Sequence, residues 1–506
     1  MGSETVLAID FADFGQLNNN IPFLLPLLLL LTLIVYIKSG VRKVTSTTPP
    51  LVTPNIHIPV LSSLFNLTFL EFGKSPLKMV TRCEKDHGPC FSMDMFGNKI
   101  TFLIGPEAQA PFFTSNDSVM SQREVYGFMK SVFGKDVVYD CDSKKRQVQF
   151  QSMAHGLRAS RLKTYTKKIE KETLEFLNEK WKGSGTIDLL ETLSELTILT
   201  ASRCLHGDDV RDNMYTEVAD LYHDLDQGVQ PISVFFPNAP IKAHWKRNVA
   251  RKKMVALFSK VIKERRAETK EVTMAADRTD ILQVFMETKY KDGTPLSDDE
   301  ITGLLIALLF AGQHTSSITS TWTGMFIAKD RDILKRVVQE QKDIIKSDGE
   351  ELTYETVNKM ELLHNCMREA LRLHPPLVLL MRKCLKDVKI NAKGKEFLIP
   401  KGDTVMVSPS VGMRLGDVFV DPDRFDPDRY AEGREEHNIP YAYLGFGGGM
   451  HSCMGQNFAF VQVKTILATI FRRYDVQMVP DELPDCDYEA MVVGPKGDCR
   501  VSYKKL

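Results

Sequence analysis

The stretch from Ile301 to Ala328 constrains the fold more than any other. It contains no proline, and its first half is apolar on nearly every side. A helix of that composition belongs in the centre of a large core, not on its surface. Ser297 and Glu300 stand ahead of it at capping-box spacing, which predicts where the helix starts. Inside the run, Ala311-Gly312 is followed by Gln313-His314-Thr315-Ser316-Ser317. Burying so many polar side chains in succession costs free energy unless each finds a partner. Two readings satisfy that condition. In one, Thr315 and Ser316 bond back to carbonyls a turn earlier and bend a structural helix. In the other, Gly312 opens the helix beside a cofactor, and Thr315 and His314 handle protons.

Composition narrows the class. The chain has 506 residues, 43% hydrophobic and 26% charged, which excludes disorder and collagen-like repeats. Sixty-five Lys plus Arg balance 65 Asp plus Glu, so no bulk positive charge points to a nucleic acid partner. Nine cysteines without a CxxC pair are too scattered for a disulfide scaffold or a zinc site. They suit a reduced, cytosol-facing protein with one special thiol. Helical periodicity dominates residues 145–370, and strand-like segments punctuated by Pro and Gly cluster in 375–445 and at the C-terminus. The fold predicted is mainly α with a small β region.

Residues 21–37 read IPFLLPLLLLLTLIVYI, without a charge. As a helix the run spans about 25 Å, the short end of what a bilayer needs. A secretory signal peptide is the rival, but it would carry positive charge ahead of the run. Here Glu4, Asp10 and Asp13 precede it and Lys38, Arg42 and Lys43 follow. The expectation is an uncleaved single-pass anchor with the rest of the chain in the cytosol. Residues 1–45 then form the membrane anchor, with its transmembrane helix over about 21–37. Residues 46–59, with Pro49, Pro50, Pro54 and Pro59, form a stiff linker. Residues 60–506 show no second linker and form one catalytic domain.

Residues 446–455 read Phe446-Gly447-Gly448-Gly449-Met450-His451-Ser452-Cys453-Met454-Gly455. Three consecutive glycines let backbone approach a flat ligand, and Cys453 stands beside backbone N–H groups able to stabilise a thiolate. The pattern resembles FxxGx(R/H)xCxG, the haem-binding loop of the cytochrome P-450 family. Glu369-Ala370-Leu371-Arg372 resembles the family's ExxR, whose spacing puts both charges on one helical face. Phe425-Asp426-Pro427-Asp428-Arg429-Tyr430 resembles the segment whose Arg completes that ion network, and Ala311–Thr315 resembles the oxygen-activation segment.

The resemblance implies a cytochrome P-450 fold holding haem b, iron protoporphyrin IX, with Cys453 as the axial thiolate and metal ligand. It makes Thr315 a proton-delivering group, and Glu369, Arg372 and Arg429 a structural network. Arg382, His451, Tyr126 and Tyr139 would meet the haem propionates, with Phe446 and Gly449 shaping the loop.

Most members of that family carry an acidic residue where His314 stands. The string Ala311-Gly312-Gln313-His314-Thr315-Ser316-Ser317 resembles the sterol 14α-demethylase subfamily, as do Val125-Tyr126, Phe133-Gly134 and Val138-Tyr139-Asp140. There His314 would pair with Asp226 as a proton relay. The implied substrate is a sterol held by Phe128, Met129, Phe133, Ala311, Leu379 and Met491, beside Tyr126 and Tyr139. O2 and an NADPH-dependent cytochrome reductase would complete the reaction, at the endoplasmic reticulum membrane. The chain departs from the subfamily at Ser131, where Pro is usual, at Met450 and Ser452, where Arg is common, and at Phe150, where some members have a propionate-binding Lys; Arg146 is placed to compensate. A hydroxylase of another lipid, a peroxide isomerase and a non-catalytic haem or sterol sensor are the alternatives. Thr315 argues against the isomerase.

Overall fold

The apolar run is the axis of the computed structural model, which describes residues 47–52, 67–95, 98–230, 233–234, 236–268, 278–488 and 490–506. The helices that position the site are Pro106–Thr114 (α1), Arg123–Tyr126 (α2), Lys130–Phe133 (α3), Ser143–Gly156 (α4), Ala159–Lys180 (α5), Leu189–Leu205 (α6) and Asp208–Asp226 (α7). They continue with Lys242–Ala267 (α8), Asp298–Lys329 (α9), Arg331–Asp348 (α10), Glu361–Leu373 (α11) and Gln456–Phe471 (α12).

The central helix α9 starts where its capping signal predicts. Ser297 Oγ accepts from Glu300 N at 3.2 Å, and Ser297 N donates to Glu300 Oε2 at 2.9 Å. Such a cap contributes about 1 kcal/mol. Residues 300–307 and 316–328 of α9 are buried, while Ala311 is exposed and residues 312–315 are half-buried. The hydroxyls inside it are satisfied by its own backbone: Thr319 donates to Thr315 O, Ser320 to Ser316 O, Thr321 to Ser317 O and Thr323 to Thr319 O, at 2.6–2.7 Å. Back-bonding makes a polar stretch affordable in a core. The backbone is not opened at Gly312, contrary to one of the two expectations; the helix runs through it, and the space beside Gly312 is empty.

Helix α6 packs along α9, with Gly324 so close to Leu189 that an added Cβ would sit 3.0 Å from its Cδ2. From the other side α12 reaches α6 through Gln462 Nε2, which donates to Thr200 Oγ1 at 2.8 Å and Thr197 O at 3.1 Å. Trp322, Leu193, Leu196, Ile466 and Val463 fill the space between these helices with no exposed surface.

The sheet region is larger than the sequence indicated. Strands Cys90–Met95 (β1), Asn98–Leu103 (β2), Met120–Ser121 (β3), Leu380–Cys384 (β5) and Thr404–Val407 (β8) form one sheet in the order β1-β2-β8-β5-β3. Ser184–Asp188 (β4), Arg500–Lys505 (β12) and Tyr474–Met478 (β9) form a second sheet, and Val388–Ala392 (β6) pairs with Lys395–Ile399 (β7). The β6–β7 turn has positive φ at Lys393 (48°) and Gly394 (73°), the geometry that matches strand twist in a two-residue hairpin.

The expected transmembrane helix over 21–37 lies outside the described residues, as do residues 53–59 of the expected linker. Residues 50–52 are pinned to the body: Val52 N donates to Ser92 O at 2.9 Å and Ser92 N to Pro50 O at 2.8 Å. Among the described residues only α9 is long and apolar enough to cross a membrane, and it is mostly buried within the protein. It is a core helix.

Candidate active site

Cys453 is the one exposed cysteine; Cys486 is half-exposed and the other seven are buried. Its loop is held by Cys453 N donating to Phe446 O at 2.9 Å and Gly447 N to Leu444 O at 3.0 Å. Gly449 has φ 64° and lies against α1, where an added Cβ would stand 2.0 Å from Phe113 O. No other residue fits, so this glycine lets the loop close down on α1. Burial raises the Cys453 thiol above its ordinary value, and the Gly455 backbone N–H lowers it in part.

The loop is braced from behind by a buried ion network. Arg372 Nε donates to Glu369 Oε2 at 2.8 Å and its Nη2 to Oε1 at 2.9 Å, while Arg429 Nε reaches Oε1 at 3.2 Å. All three side chains have 0% exposure, which rules out a solvated helix pair. Arg372 also donates to Met413 O and Pro422 O, and Arg429 to Val420 O and Asp421 O. The pattern fastens residues 413–429 to α11. Tyr430, whose hydroxyl lies 3.2 Å from Glu369 Oε2, is a member that the sequence reading missed.

Other groups expected to meet propionates come from β5 and from residues 126–139. Arg382 is 1% exposed, and among the described residues its one hydrogen bond goes from Nη1 to Ser115 O at 3.1 Å. Its Nε has no partner among the described residues, and burial lowers its pKa to about 10. A buried guanidinium so thinly satisfied calls for an anion. Tyr126 and Tyr139 stack 5.2 Å apart. Burial raises both hydroxyls, Tyr139 to about 12, so they remain donors. Tyr126 OH also accepts from Met381 N at 3.3 Å, tying α2 to β5.

His451 meets a partner that the sequence reading did not assign. Its Nε2 lies 2.8 Å from Asp117 Oδ1, and Arg146 Nη1 donates to Asp117 Oδ2 at 3.1 Å. Burial and the neighbouring Arg382 lower His451. Arg146 lies over the Phe150 ring at 4.9 Å, so the departure at Phe150 gives that guanidinium an aromatic platform.

On α9, His314 Nε2 is 3.0 Å from Asp226 Oδ1 at the end of α7. Thr315 Oγ1 donates to Ala311 O at 2.5 Å and remains half-exposed to the interior space. Its hydroxyl is thus back-bonded and accessible at once. Near it runs an aromatic wall: Phe133 meets Tyr139 at 6.3 Å and Phe310 at 6.0 Å, Phe310 meets Tyr222 at 4.8 Å, and Phe128 lies 6.3 Å from Tyr126. Phe128 and Phe133 are buried and Met129 half-buried. Leu379 packs instead against the cluster of Phe102 and Met406. Met491 is 38% exposed, in a turn whose Gly494 touches Ile318 of α9.

An exposed thiol on a glycine loop, a buried guanidinium with an unanswered Nε, two stacked tyrosines and an unbroken core helix with empty space beside Gly312 make up a site suited to a haem-thiolate oxygenase. Haem b would fit these residues: Cys453 would supply its thiolate ligand, and Arg382, Tyr126 and Tyr139 would meet its carboxylates.

The comparisons agree. The Cytochrome P-450 family model matches residues 54–500, and the chain belongs to that family. It is 41% identical to the obtusifoliol 14-alpha demethylase of Sorghum bicolor over 98% of this chain and 99% of that one. The Triticum aestivum protein of the same name is 44% identical, covering 86% of this chain and 95% of its own. The lanosterol 14-alpha demethylase of Homo sapiens is 38% identical over 86% and 84%. A retinoic acid-bound cyanobacterial CYP120A1 superposes with a TM-score of 0.77 over 92% of this chain and 100% of that chain, at 24% identity, a likeness of fold.

Proposed function

We propose that this protein is a sterol 14α-demethylase. It removes the 14α-methyl group as formate through alcohol and aldehyde stages and leaves a Δ14 double bond. The observation that carries the reading is His314, paired to Asp226 at 3.0 Å and followed at once by Thr315, in a chain whose relatives at 37–44% identity bear that name. Haem, when bound, supplies O2 activation; each of three oxidations consumes one O2 and two electrons that begin on NADPH. The side chains do the rest. Asp226 orients His314, which exchanges protons with solvent, and Thr315 passes a proton inward while its bond to Ala311 O fixes its rotamer. The wall of Tyr126, Phe128, Phe133, Tyr139 and Phe310 takes a rigid apolar ring system, where burial supplies about 25 cal/mol per Å2.

The electron donor is an NADPH-dependent cytochrome reductase. An anchor over residues 21–37 holds the catalytic domain on the cytosolic face of the endoplasmic reticulum. Two sequons, at Asn66 and Asn116, follow the anchor. With the body in the cytosol neither carries glycan in a eukaryotic host, and a glycan at Asn66 would invert the topology. Function is tested by incubating purified protein, reductase and NADPH with a panel of sterols. Formate with a Δ14 product is expected; hydroxylated product alone would favour a hydroxylase of another lipid.

A further inference from the structure

Arg251 of α8 is buried, with 8% exposure, and carries a charge that the reaction does not use. Its Nη2 makes every bond the guanidinium has: to Phe133 O at 3.0 Å, Asp299 O at 3.3 Å and Asp299 Oδ1 at 3.1 Å. Its Nε and Nη1 have no partner among the described residues. A guanidinium buried with two donors unanswered weakens the fold more than a hydrophobe of its shape would. Stability does not explain why it is there.

What it grips does. Phe133 is the last residue of α3, so its carbonyl lies at the end of a helix dipole and lacks an intrahelical partner. Helix α3 is four residues long and has little stability of its own. Ser131 donates to Phe128 O at 2.9 Å, a bond that restricts the backbone less than a proline ring would. The position of Phe128 and Phe133 is therefore set from outside. On one side, Gly303 of α9 lies so close that an added Cβ would stand 2.1 Å from Phe133 O. On the other, Gly134, with φ 106°, leaves 2.4 Å between its own added Cβ and Arg251 Nη2. The chain at Phe133–Gly134 is threaded through a slot between the central helix and one guanidinium.

We infer that Arg251 is a positioning residue for substrate selection. It latches the segment carrying Phe128 and Phe133 simultaneously to α8 and to the start of α9, so that the aromatic wall is in place before a ligand arrives. That the ligand is a sterol rests on the function proposed above; the latch itself does not.

Two readouts on the haem-loaded protein separate these claims. Backbone hydrogen exchange of residues 127–134 reports the latch without any substrate. Titration with a sterol, followed by the Soret shift, reports its consequence, and imidazole, which needs only the iron, serves as control. In Arg251→Met, exchange over 127–134 is expected to accelerate and the sterol Kd to rise about 10-fold, as for one lost charge-assisted hydrogen bond. The imidazole Kd and melting temperature should stay level. Arg251→Lys, which keeps a charged donor, should restore part of the affinity. Asp299→Ala, at a residue 52% exposed in its side chain, gives a milder loosening should the Met variant fold poorly. Unchanged exchange over 127–134 in these variants would overturn the latch, as would unchanged sterol affinity despite faster exchange, or a loss spread evenly through the chain. A parent protein that takes no sterol overturns the proposed function and leaves the exchange test standing.

Discussion

His314 and Asp226 lie 88 positions apart and meet at 3.0 Å, joining the half-buried stretch of the central helix to the C-terminal turn of α7. Both side chains are about one-third exposed, at 32% and 27%, so the pair is open to solvent one residue before Thr315. Proton exchange at that point needs an imidazole held in one orientation, which the carboxylate provides. Asp226→Ala should therefore lower kcat by about 100-fold, the low end for losing acid–base assistance, with little change in sterol Kd. His314→Ala should do the same, and the double variant should be no worse than either. Additive losses in kcat would show that the two residues act separately.

Glu369 neutralises two guanidiniums that have no access to water. Replacing it by Gln preserves shape but leaves Arg372 buried with no carboxylate and Arg429 with only its 3.4 Å contact to Glu436 Oε1, and breaking such a pair costs about 3–5 kcal/mol. Because those guanidiniums also hold residues 413–429 by their carbonyls, the loop bearing Cys453 loses its backing. The expected outcome is a sharply lower melting temperature and poor haem retention in Glu369→Gln. A variant with parental stability would mean that backbone carbonyls alone suffice.

Acid sensitivity has an identifiable source in His206. Burial, then the charge of Arg265, lowers its pKa from 6.5 to about 4. Its Nε2 has no partner among the described residues, and its ring packs edge-on to Phe258. The unfolded chain binds a proton near pH 6.5 and the folded one only near pH 4, so stability falls as pH drops through that window. The loss is about 3 kcal/mol at most. Between pH 8 and pH 5 the parent's melting temperature should fall relative to that of His206→Leu. Parallel curves would place the acid sensitivity elsewhere.

What was legible in the sequence shares one property: the signal was local or carried by a contiguous motif. The capping pair Ser297 and Glu300, the i,i+3 charges of Glu369 and Arg372, and the glycines around Cys453 all lie within single elements. The His314–Asp226 contact is long-range, and only the family resemblance suggested it. Strands β1 and β2 escaped because most of their residues are buried on both faces, which erases the alternation that announces a strand. Asp117, Arg251 and Tyr430 escaped for a different reason. Each acts through a partner far along the chain or through one atom of the backbone, and neither leaves a periodicity. Asn116-Asp117-Ser118 reads as a sequon, and nothing in it announces a carboxylate for His451.

Phe128 gives the sharpest test of which sterol the protein takes. It is 7% exposed, beside Tyr126 and within the segment that ends at Phe133. The resemblance implies that this position faces the sterol A-ring, that members with Phe there, the plant type and some protists, tend to take sterols with one methyl at C4, and that animal and fungal members with Leu take the dimethyl forms. The physical reason is volume. An aromatic ring fills the space that a second methyl would enter, and overpacking costs about 1–3 kcal/mol. One methyl group discriminates about 10- to 200-fold, which is a preference and not a barrier. Obtusifoliol-like or norlanosterol-like sterols should therefore show the higher kcat/KM, and Phe128→Leu should shift the ratio toward lanosterol. The comparison requires kcat/KM for both classes in both proteins. Equal values in the parent, or an unmoved ratio in the variant, would remove Phe128 as the determinant and leave the choice to the rest of the aromatic wall.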